Sequence, residues 1–592
     1  MSRTGQKLAS RALMGLLAAA TPAVATPSVA VIEIEGTPAA RSAGMSWLGE
    51  EASTLRDYVE TFDTVAYDDE FDGLVIRLKD SALGITQVEE LGAAMLRVRD
   101  AGKKVHVFAE GYGPGEVMLG SFADEVIVQS GGMVSLPGMH MEEMFLADTL
   151  SWLGVEAQLV QVGDYKGANE QMTRSGPSDA WDQNIESLLD GLYESQRMIV
   201  GEGRGLDTDA LDQAMAVAWW ADADDAINAG LIDAAVDLPE IRDHLASTYG
   251  DKPRWVKNPY TIESTLDTSN PFALMTEIFG AGAAKNVIEG PSIAVLHISG
   301  TIIDGDSSSG GLLGGGNSVG SRTIRNTIEE ILREDDIKGV IVRVDSPGGS
   351  AIASEVMWQG IQRLKEEKPV WVSVGSMAAS GGYYVLSAGD KVYVNPSSIV
   401  GSIGVVGGKY AMGDLYDKLK INVVERSRGP AAMLNSTARP WTESEQDLIR
   451  QKMTETYELF TDRVAAGRPG IDLSKTAEGR LFVGRDAVGL NMADEVGGLD
   501  DAIADMAAHI GLSTPDIVEY PLPPTFEEML EQMLGGFVQA PALAQRQGEL
   551  VEALRMLLGE QRFAAVRDSL AAFTLLRDEN VLLVSPRAII IR

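Results

Sequence analysis

Residues 27–37 read PSVAVIEIEGT, and residues 291–301 read PSIAVLHISGT. Seven of these eleven positions are identical, at an offset of 264 residues. Further similar blocks follow in the same order at nearly the same offset: DGLVIRL (72–78) with KGVIVRV (338–344), VHVFAEG (105–111) with VWVSVGS (370–376), and ADEVIVQSGGMVSLPG (123–138) with GDKVYVNPSSIVGSIG (389–404). One matching strand arises easily by chance, whereas several blocks in one order do not. The sequence therefore predicts an internal duplication.

Both repeats alternate β-rich runs with amphipathic helical segments. In the second repeat, the runs GVIVRV (339–344) and PVWVSV (369–374) flank the helix-like segment SEVMWQGIQRLKEE (354–367). This alternation is typical of α/β units in which the strands are mainly parallel. We therefore expect two tandem α/β domains with mainly parallel sheets, followed by a helical C-terminal extension.

The composition shifts along the chain predict five segments. They are a signal peptide or short anchor (1–25), a first repeat (27–250), a proline-containing linker (251–290), a second repeat (291–510) and a C-terminal extension (511–592). The extension matches neither repeat. Its Leu- and Met-rich stretches and its apolar end, VLLVSPRAIIIR, indicate packing or oligomer contacts.

The N-terminus has the pattern of an export signal. Basic residues at 3, 7 and 11 precede the apolar run ALMGLLAAA (12–20), and Ala23-Val24-Ala25 supplies small residues for cleavage. This three-part pattern is typical of a secretory signal peptide. A retained anchor and a frayed helix remain the alternatives.

The charge balance limits the classes of partner. The chain has 49 Lys and Arg residues against 86 Asp and Glu residues, a net charge of −37. Because a nucleic-acid binder needs a basic surface that displaces counterions from phosphates, this balance argues against a nucleic-acid partner. The absence of cysteine excludes disulfides, thiolate metal sites and a cysteine nucleophile, and the five histidines include no H-x-x-x-H pair. No metal or other cofactor is expected.

Two loops of the second repeat carry candidate chemistry. DSPGGS (345–350) follows a strand directly, and its glycines would let backbone N–H groups approach a ligand closely. In SMAASGG (376–382), Ser380 stands at a strand-to-helix turn, where free N–H groups stabilise negative charge. Acyl transfer needs such a hydroxyl, with donors such as the N–H groups of Gly349 and Gly381. Taken singly, such a serine is more commonly an N-cap, and such a glycine loop is a tight turn.

A nucleophilic serine requires a base, and the histidines offer no persuasive one. His140 lies in a glycine-containing stretch and His297 in a core strand, so both are interpreted as structural. Lys166 follows an apolar strand, between two glycine-containing turns. An exposed lysine is protonated at neutral pH, but burial lowers its pKa and makes it a base. In isolation this lysine is more often a surface residue.

The motifs together resemble a known family, the long form of signal peptide peptidase (SppA). These are Ser-Lys endopeptidases whose fold is shared with Clp protease and crotonase. The resemblance rests on the SPGGS loop and on SMAASGGYY (376–384), NPSSIVGSIG (395–404) and VGDYKGANE (162–170). It covers nearly the whole chain after the N-terminal signal.

The resemblance implies a role for each candidate residue. Ser380 would be the nucleophile, Lys166 the general base, and Gly349 and Gly381 the oxyanion-hole donors. It also implies peptide substrates, a homotetramer and membrane association, with an exported location in the periplasm or at the outer face of the inner membrane. The family usually continues the lysine as Ser-Ala-x-Glu-Pro-Phe, whereas this chain reads GANEQM (167–172).

The duplication agrees with a single dyad shared between the repeats. The first repeat has Pro114 or Gly115 where the second has Ser380, and the second has Arg428 where the first has Lys166. Arginine stays protonated and cannot act as a base. Each repeat therefore lacks the group that the other keeps.

The leading hypothesis is an exported serine endopeptidase acting on remnant signal peptides or other unfolded apolar peptides. The alternative is a catalytically degenerate family member that binds peptides or serves as a scaffold. A third hypothesis, an acyl-CoA enzyme on the same fold, agrees poorly with an export signal.

Overall fold

The computed structural model describes residues 26–41, 53–259, 288, 290–308, 317–522, 581–585 and 590–591. The predicted signal segment, most of the predicted linker and the helical stretches expected after residue 522 lie outside the described residues. Among the residues that are described, no helix is long and apolar enough to cross a membrane.

The first repeat is built on a six-stranded parallel sheet. In spatial order its strands are β10 (Arg254–Lys257), β1 (Ser28–Glu35), β2 (Gly73–Lys79), β3 (Lys104–Ala109), β4 (Glu125–Val128) and β9 (Ala234–Ala235). Helices cover both faces, so successive residues of β1 enter opposite cores: Ala30 and Ile32 in one, Val29 and Val31 in the other. This two-sided burial explains why the strands read as nearly continuous apolar runs.

The helices of the first repeat follow its strands in βα alternation. They are α1 (Leu55–Tyr67), α2 (Ile85–Asp100), α3 (Pro114–Gly120), α4 (Ala147–Leu153), α5 (Glu170–Thr173), α6 (Asp179–Arg204), α7 (Thr208–Val217), α8 (Ala223–Asn228), α9 (Ile241–His244) and α10 (Ala246–Tyr249). Short strands β5 (Met133–Val134) and β8 (Ala221–Asp222) pair with each other.

The second repeat carries a larger sheet of eight strands. In spatial order these are β20 (Leu481–Val483), β18 (Ile399–Gly401), β16 (Val370–Ala379), β14 (Ile337–Ser346), β11 (Ser292–Ser299) and β22 (Asp516–Tyr520). Off this path, β17 (Lys391–Val394) pairs with β16, and β21 (Glu495–Val496) pairs with β17. All pairings are parallel except β18 with β20. The predicted α/β class, with tandem and mainly parallel sheets, is confirmed.

The helices of the second repeat again alternate with its strands. They are α11 (Ser321–Arg333), α12 (Ala351–Glu367), α13 (Gly381–Leu386), α14 (Gly413–Lys418), α15 (Glu443–Gly467), α16 (Leu473–Thr476), α17 (Gly484–Gly489) and α18 (Leu499–Ile510).

A third sheet joins the two repeats. Its strands, in spatial order, are β13 (Ser318–Gly320), β12 (Thr301–Ile303), β15 (Gly348–Ser350), β23 (Val581–Val584), β19 (Val405–Ala411) and β7 (Glu156–Val162). The first repeat's β7 runs antiparallel to the second repeat's β19 over seven residue pairs. This pairing fixes the chain that follows β7 against the second repeat. A small two-stranded sheet pairs β6 (Met141–Glu142) with β24 (Ile590–Ile591).

Buried polar contacts also hold the repeats together. Glu90, on α2, pairs with Arg343 at 2.5 Å and accepts a hydrogen bond from Asn395 at 2.8 Å. Its neighbour Glu89 accepts hydrogen bonds from the hydroxyl and the N–H of Ser397, at 2.6 and 3.2 Å. Removing one partner of a buried ion pair leaves a charge without compensation, so these contacts fix how the repeats dock.

Glu89 makes the stability of this contact depend on pH. Burial raises the pKa of Glu89 to about 7, although the Ser397 hydrogen bonds act against the rise. The folded protein therefore holds this proton more tightly than the unfolded chain, and the associated stability is lost as the pH rises through 7. Glu89→Gln should raise the free energy of unfolding by roughly 1–3 kcal/mol at pH 8 and change it little at pH 4.

Denaturant unfolding at the two pH values measures this effect. Glu186→Gln, at an exposed position on α6, is the matched control and should show no gain that depends on pH. An equal effect of Glu89→Gln at both pH values would contradict the assignment.

Candidate active site

Ser380 occupies the sharp turn between β16 and α13. Its φ angle is +55°, a left-handed conformation that is costly for a residue with a side chain, by roughly 1–3 kcal/mol. The turn is held because the Ser380 N–H donates to the Gly401 carbonyl at 2.8 Å and the Ser380 carbonyl accepts from Tyr384 N–H at 2.8 Å. The serine is completely buried.

Lys166 lies four residues after β7 and reaches Ser380 from the first repeat. Its Nζ is 2.7 Å from Ser380 Oγ, 2.8 Å from Ser402 Oγ and 3.0 Å from the Ser402 carbonyl oxygen. The structure thus brings together the two residues that the sequence placed 214 positions apart.

The surroundings of Lys166 favour a neutral amine. Its side chain is 1% exposed, and burial lowers its pKa well below the ordinary lysine range. The three oxygens around Nζ belong to two hydroxyl groups and a carbonyl, so none of them offsets the lost hydration with a negative charge. A neutral amine can accept a proton from a neighbouring hydroxyl.

Glycines let the backbone close around the lysine. A Cβ on Gly479 would lie 2.5 Å from Lys166 N, and Gly479 has a φ of +92°. On the other side, a Cβ on Gly167 would lie 2.1 Å from Trp181 Cδ2. The buried Trp181 ring therefore fills the space that a side chain at position 167 would need. This gives a packing reason for the departure from the family pattern after the lysine.

The two glycine-containing loops meet beside Ser380. A Cβ on Gly381 would lie 3.2 Å from Gly349 N, and a Cβ on Gly348 only 2.5 Å from Gly381 N. Gly381 is the first residue of α13, where the N–H group has no partner within the helix. The two N–H groups predicted as donors therefore lie close together.

Sequence reasoning missed two residues of the site. Ser402 holds the Lys166 amino group, and Gly348 allows the close approach of the two loops through its φ of +93°. Both lie inside quoted motifs, GSIG and SPGGS, where the residue types alone did not reveal their separate roles.

The remaining candidates lie in other surroundings. The His140 side chain is 66% exposed, 3.6 Å from Glu142. His297 is buried in β11, and burial lowers its pKa to about 3, so it stays neutral. Helix α3 of the first repeat begins at Pro114, and its N-cap residue is Gly113. In the second repeat, Ser380 is the N-cap residue of helix α13. Arg428 lies in an exposed segment.

Comparison with known proteins supports the same grouping. The model of peptidase family S49 matches residues 97–250 and 362–513. Protease 4 of Haemophilus influenzae is 30% identical over 483 residues, covering 75% of this chain and 72% of that protein. The chain belongs to peptidase family S49. The matched segments contain Lys166 and Ser380, respectively.

Two further relatives align with most of this chain. Protease 4 of Salmonella typhi is 26% identical over 542 residues, covering 88% of this chain and 82% of the relative. The chloroplastic serine protease SPPA of Arabidopsis thaliana is 28% identical over 462 residues. That alignment covers 76% of this chain and 65% of the plant protein.

The burial of Lys166 can be tested without measuring activity. Because burial lowers the pKa of Lys166, the folded chain binds fewer protons than the unfolded chain. The free-energy cost of burying Lys166 therefore grows as the pH falls below the ordinary lysine pKa. Lys166→Met should therefore raise the thermal midpoint at pH 7, and the gain should shrink as the pH approaches about 10.

Lys452→Met provides the comparison, because the Lys452 side chain is 69% exposed. It should leave the midpoint nearly unchanged at both pH values. The quantity to compare is the difference in thermal midpoint between Lys166→Met and wild type. If this difference is no larger at pH 7 than at pH 10, the amine is not buried in neutral form.

Proposed function

We propose that the chain is a serine endopeptidase in which Ser380 is the nucleophile and Lys166 the general base. The observation that carries the proposal is the 2.7 Å contact between Lys166 Nζ and Ser380 Oγ, two side chains that are both buried. Because no carboxylate among the described residues contacts the amine, it can be neutral at physiological pH and accept the serine proton.

In the proposed reaction, Ser380 Oγ attacks the carbonyl carbon of a peptide bond while Lys166 takes the hydroxyl proton. The N–H groups of Gly349 and Gly381 stabilise the negative charge that forms on the carbonyl oxygen. Losing one such donor typically costs about 3–4 kcal/mol in the transition state. Lys166 then passes its proton to the leaving amine and activates the water that hydrolyses the acyl-enzyme.

Ser402 would position the lysine. Its hydroxyl and carbonyl oxygens accept hydrogen bonds from the amino group, at 2.8 and 3.0 Å, and so hold Nζ within reach of the Ser380 hydroxyl. Ser402 has a φ of +53° and its N–H donates to the Arg480 carbonyl at 2.6 Å, which fixes its own orientation.

The proposed substrates are remnant signal peptides and other unfolded apolar peptides, as the family resemblance implies. The Protease 4 and SPPA relatives support peptides as the substrate class. An exported location, membrane association and a homotetramer belong to the same proposal. The N-terminal pattern of residues 1–25 supports export, and the family resemblance supports the other two.

The contact between Lys166 and Ser380 favours this enzyme over a scaffold. The scaffold hypothesis depended on the altered sequence after the lysine, and that sequence is accommodated by Trp181 with Nζ still within hydrogen-bond distance of the serine.

Hydrolysis of a fluorogenic apolar peptide tests the dyad directly. Ser380→Ala and Lys166→Ala should each lower kcat/KM by roughly 10⁴-fold or more, because members of a catalytic unit fail together. Ser398→Ala is the matched control: this buried serine donates to the Gly375 carbonyl at 2.7 Å, away from the dyad. Folded Lys166→Ala protein that retains activity would exclude Lys166 as the base.

Ser402→Ala tests the positioning role. Loss of one hydrogen bond to the amine should lower kcat roughly 3- to 30-fold and leave KM nearly unchanged, because Ser402 holds the base rather than the substrate. Its pH–rate profile should also shift relative to wild type and to Ser398→Ala. A change confined to KM would contradict this assignment.

A further inference from the structure

The turn at residues 478–480 of the second repeat packs against the segment of the first repeat that carries Lys166. The Glu478 carbonyl accepts a hydrogen bond from the Tyr165 N–H at 2.9 Å, and a Cβ on Gly479 would lie 2.7 Å from Lys166 Cβ. Glu478 has a φ of +62°, a conformation that is costly for a residue with a side chain. Strain of this kind persists only where the surroundings determine the backbone, so the turn is fixed beside the proposed base.

Arg480 contacts the site through both its side chain and its backbone. Its guanidinium carbon lies 3.9 Å from the centre of the Tyr165 ring, and Tyr165 directly precedes Lys166. Its carbonyl accepts the Ser402 N–H at 2.6 Å, and Ser402 accepts two hydrogen bonds from Lys166 Nζ. Arg480 therefore contacts the neighbour of the proposed base in the chain and also the residue that holds its amino group.

The guanidinium group of Arg480 is itself held within the second repeat. It donates to the Ala477 carbonyl at 3.0 Å and pairs with Glu478 at 3.2 Å. An arginine stays protonated at every working pH, and its planar group binds the face of an aromatic ring. Arg480 therefore links a fixed part of the second repeat to the Tyr165 ring of the first.

The duplication places a different residue at this position of the first repeat. Helix α8 begins at Ala223 and helix α17 at Gly484, 261 residues later. At this offset Trp219 stands where the second repeat has Arg480, and Trp219 is 66% exposed. The arginine is thus present in the repeat whose turn contacts the lysine segment and is replaced in the other.

We propose that Arg480 is a positioning residue for the proposed reaction. Its contact with Tyr165 and its bond to Ser402 together keep Lys166 Nζ within hydrogen-bond distance of Ser380. This inference rests on the proposed function. Because Arg480 acts through the lysine rather than on the substrate, its loss should change kcat rather than KM.

Hydrolysis of a fluorogenic apolar peptide by the full chain, measured as a function of pH, tests this role. Arg480→Met should lower kcat roughly 3- to 30-fold and leave KM nearly unchanged. The pH at which kcat is half-maximal should move upward, because a loosened amine regains contact with water and its pKa rises. A purely structural role would not move this profile.

Arg197→Met is the matched control. Arg197 also lies over a tyrosine ring, 5.5 Å from the centre of Tyr193, and pairs with Asp212, so both contacts stay within the first repeat. This variant should keep the wild-type kcat and pH profile. An equal loss of kcat in Arg197→Met and Arg480→Met would overturn the proposal.

Variants of Tyr165 test the same contact from the other repeat. Tyr165→Phe keeps the aromatic face that the guanidinium contacts, whereas Tyr165→Leu removes it, so the kcat of Tyr165→Phe should be several-fold higher. A chain with both Arg480→Met and Tyr165→Leu should be no slower than the slower single variant, because one contact cannot be lost twice. Equal rates for the two Tyr165 variants, or effects that multiply in the double variant, would contradict the proposal.

The outcomes separate this inference from the proposed function. If wild type does not hydrolyse the peptide, the proposed function itself fails. If wild type hydrolyses it and Arg480→Met has the same kcat and pH profile, only the role of Arg480 fails. A lower thermal midpoint of Arg480→Met with wild-type kcat has the same meaning, since it shows that Arg480 only stabilises the fold.

Discussion

The constraint on which the site depends is the burial of one amino group that has no carboxylate partner in the part of the chain that the structure describes. Lys166 Nζ is surrounded by two hydroxyl oxygens and a carbonyl oxygen, and burial lowers its pKa well below the ordinary range. The fold must supply the free energy that this desolvation costs. It does so through the β7–β19 pairing and through close backbone packing around the lysine, where Gly479 leaves room for the chain.

The duplication explains why this constraint can be met. Each repeat supplies a mainly parallel sheet covered on both faces, which is a rigid frame. The second repeat keeps the strained turn at Ser380, while the first contributes the lysine on the segment that follows β7. The buried Glu90–Arg343 pair then fixes the frames against each other. Neither repeat alone contains both members of the proposed dyad.

The sequence was informative where local patterns decide the structure. Apolar runs and their alternation with helices predicted the tandem α/β class, and the turn at Ser380 and the strand before Lys166 placed both candidates. The family resemblance is confirmed by the S49 match. The antiparallel pairing of β7 with β19 was not predictable, because it joins segments about 250 residues apart and no local pattern encodes the partner. For the same reason, sequence reasoning missed Ser402. It also interpreted VLLV (581–584) as part of a packing extension, whereas the segment forms a strand that pairs with β15.

The most direct test of the account is the rate at which a peptidyl fluorophosphonate labels Ser380 as the pH is varied. If neutral Lys166 activates the serine, labelling should rise with pH to a plateau reached well below the ordinary lysine pKa of about 10.4, and Lys166→Ala should abolish it. Labelling of Lys166→Ala at the wild-type rate, with the same pH profile, would contradict the account.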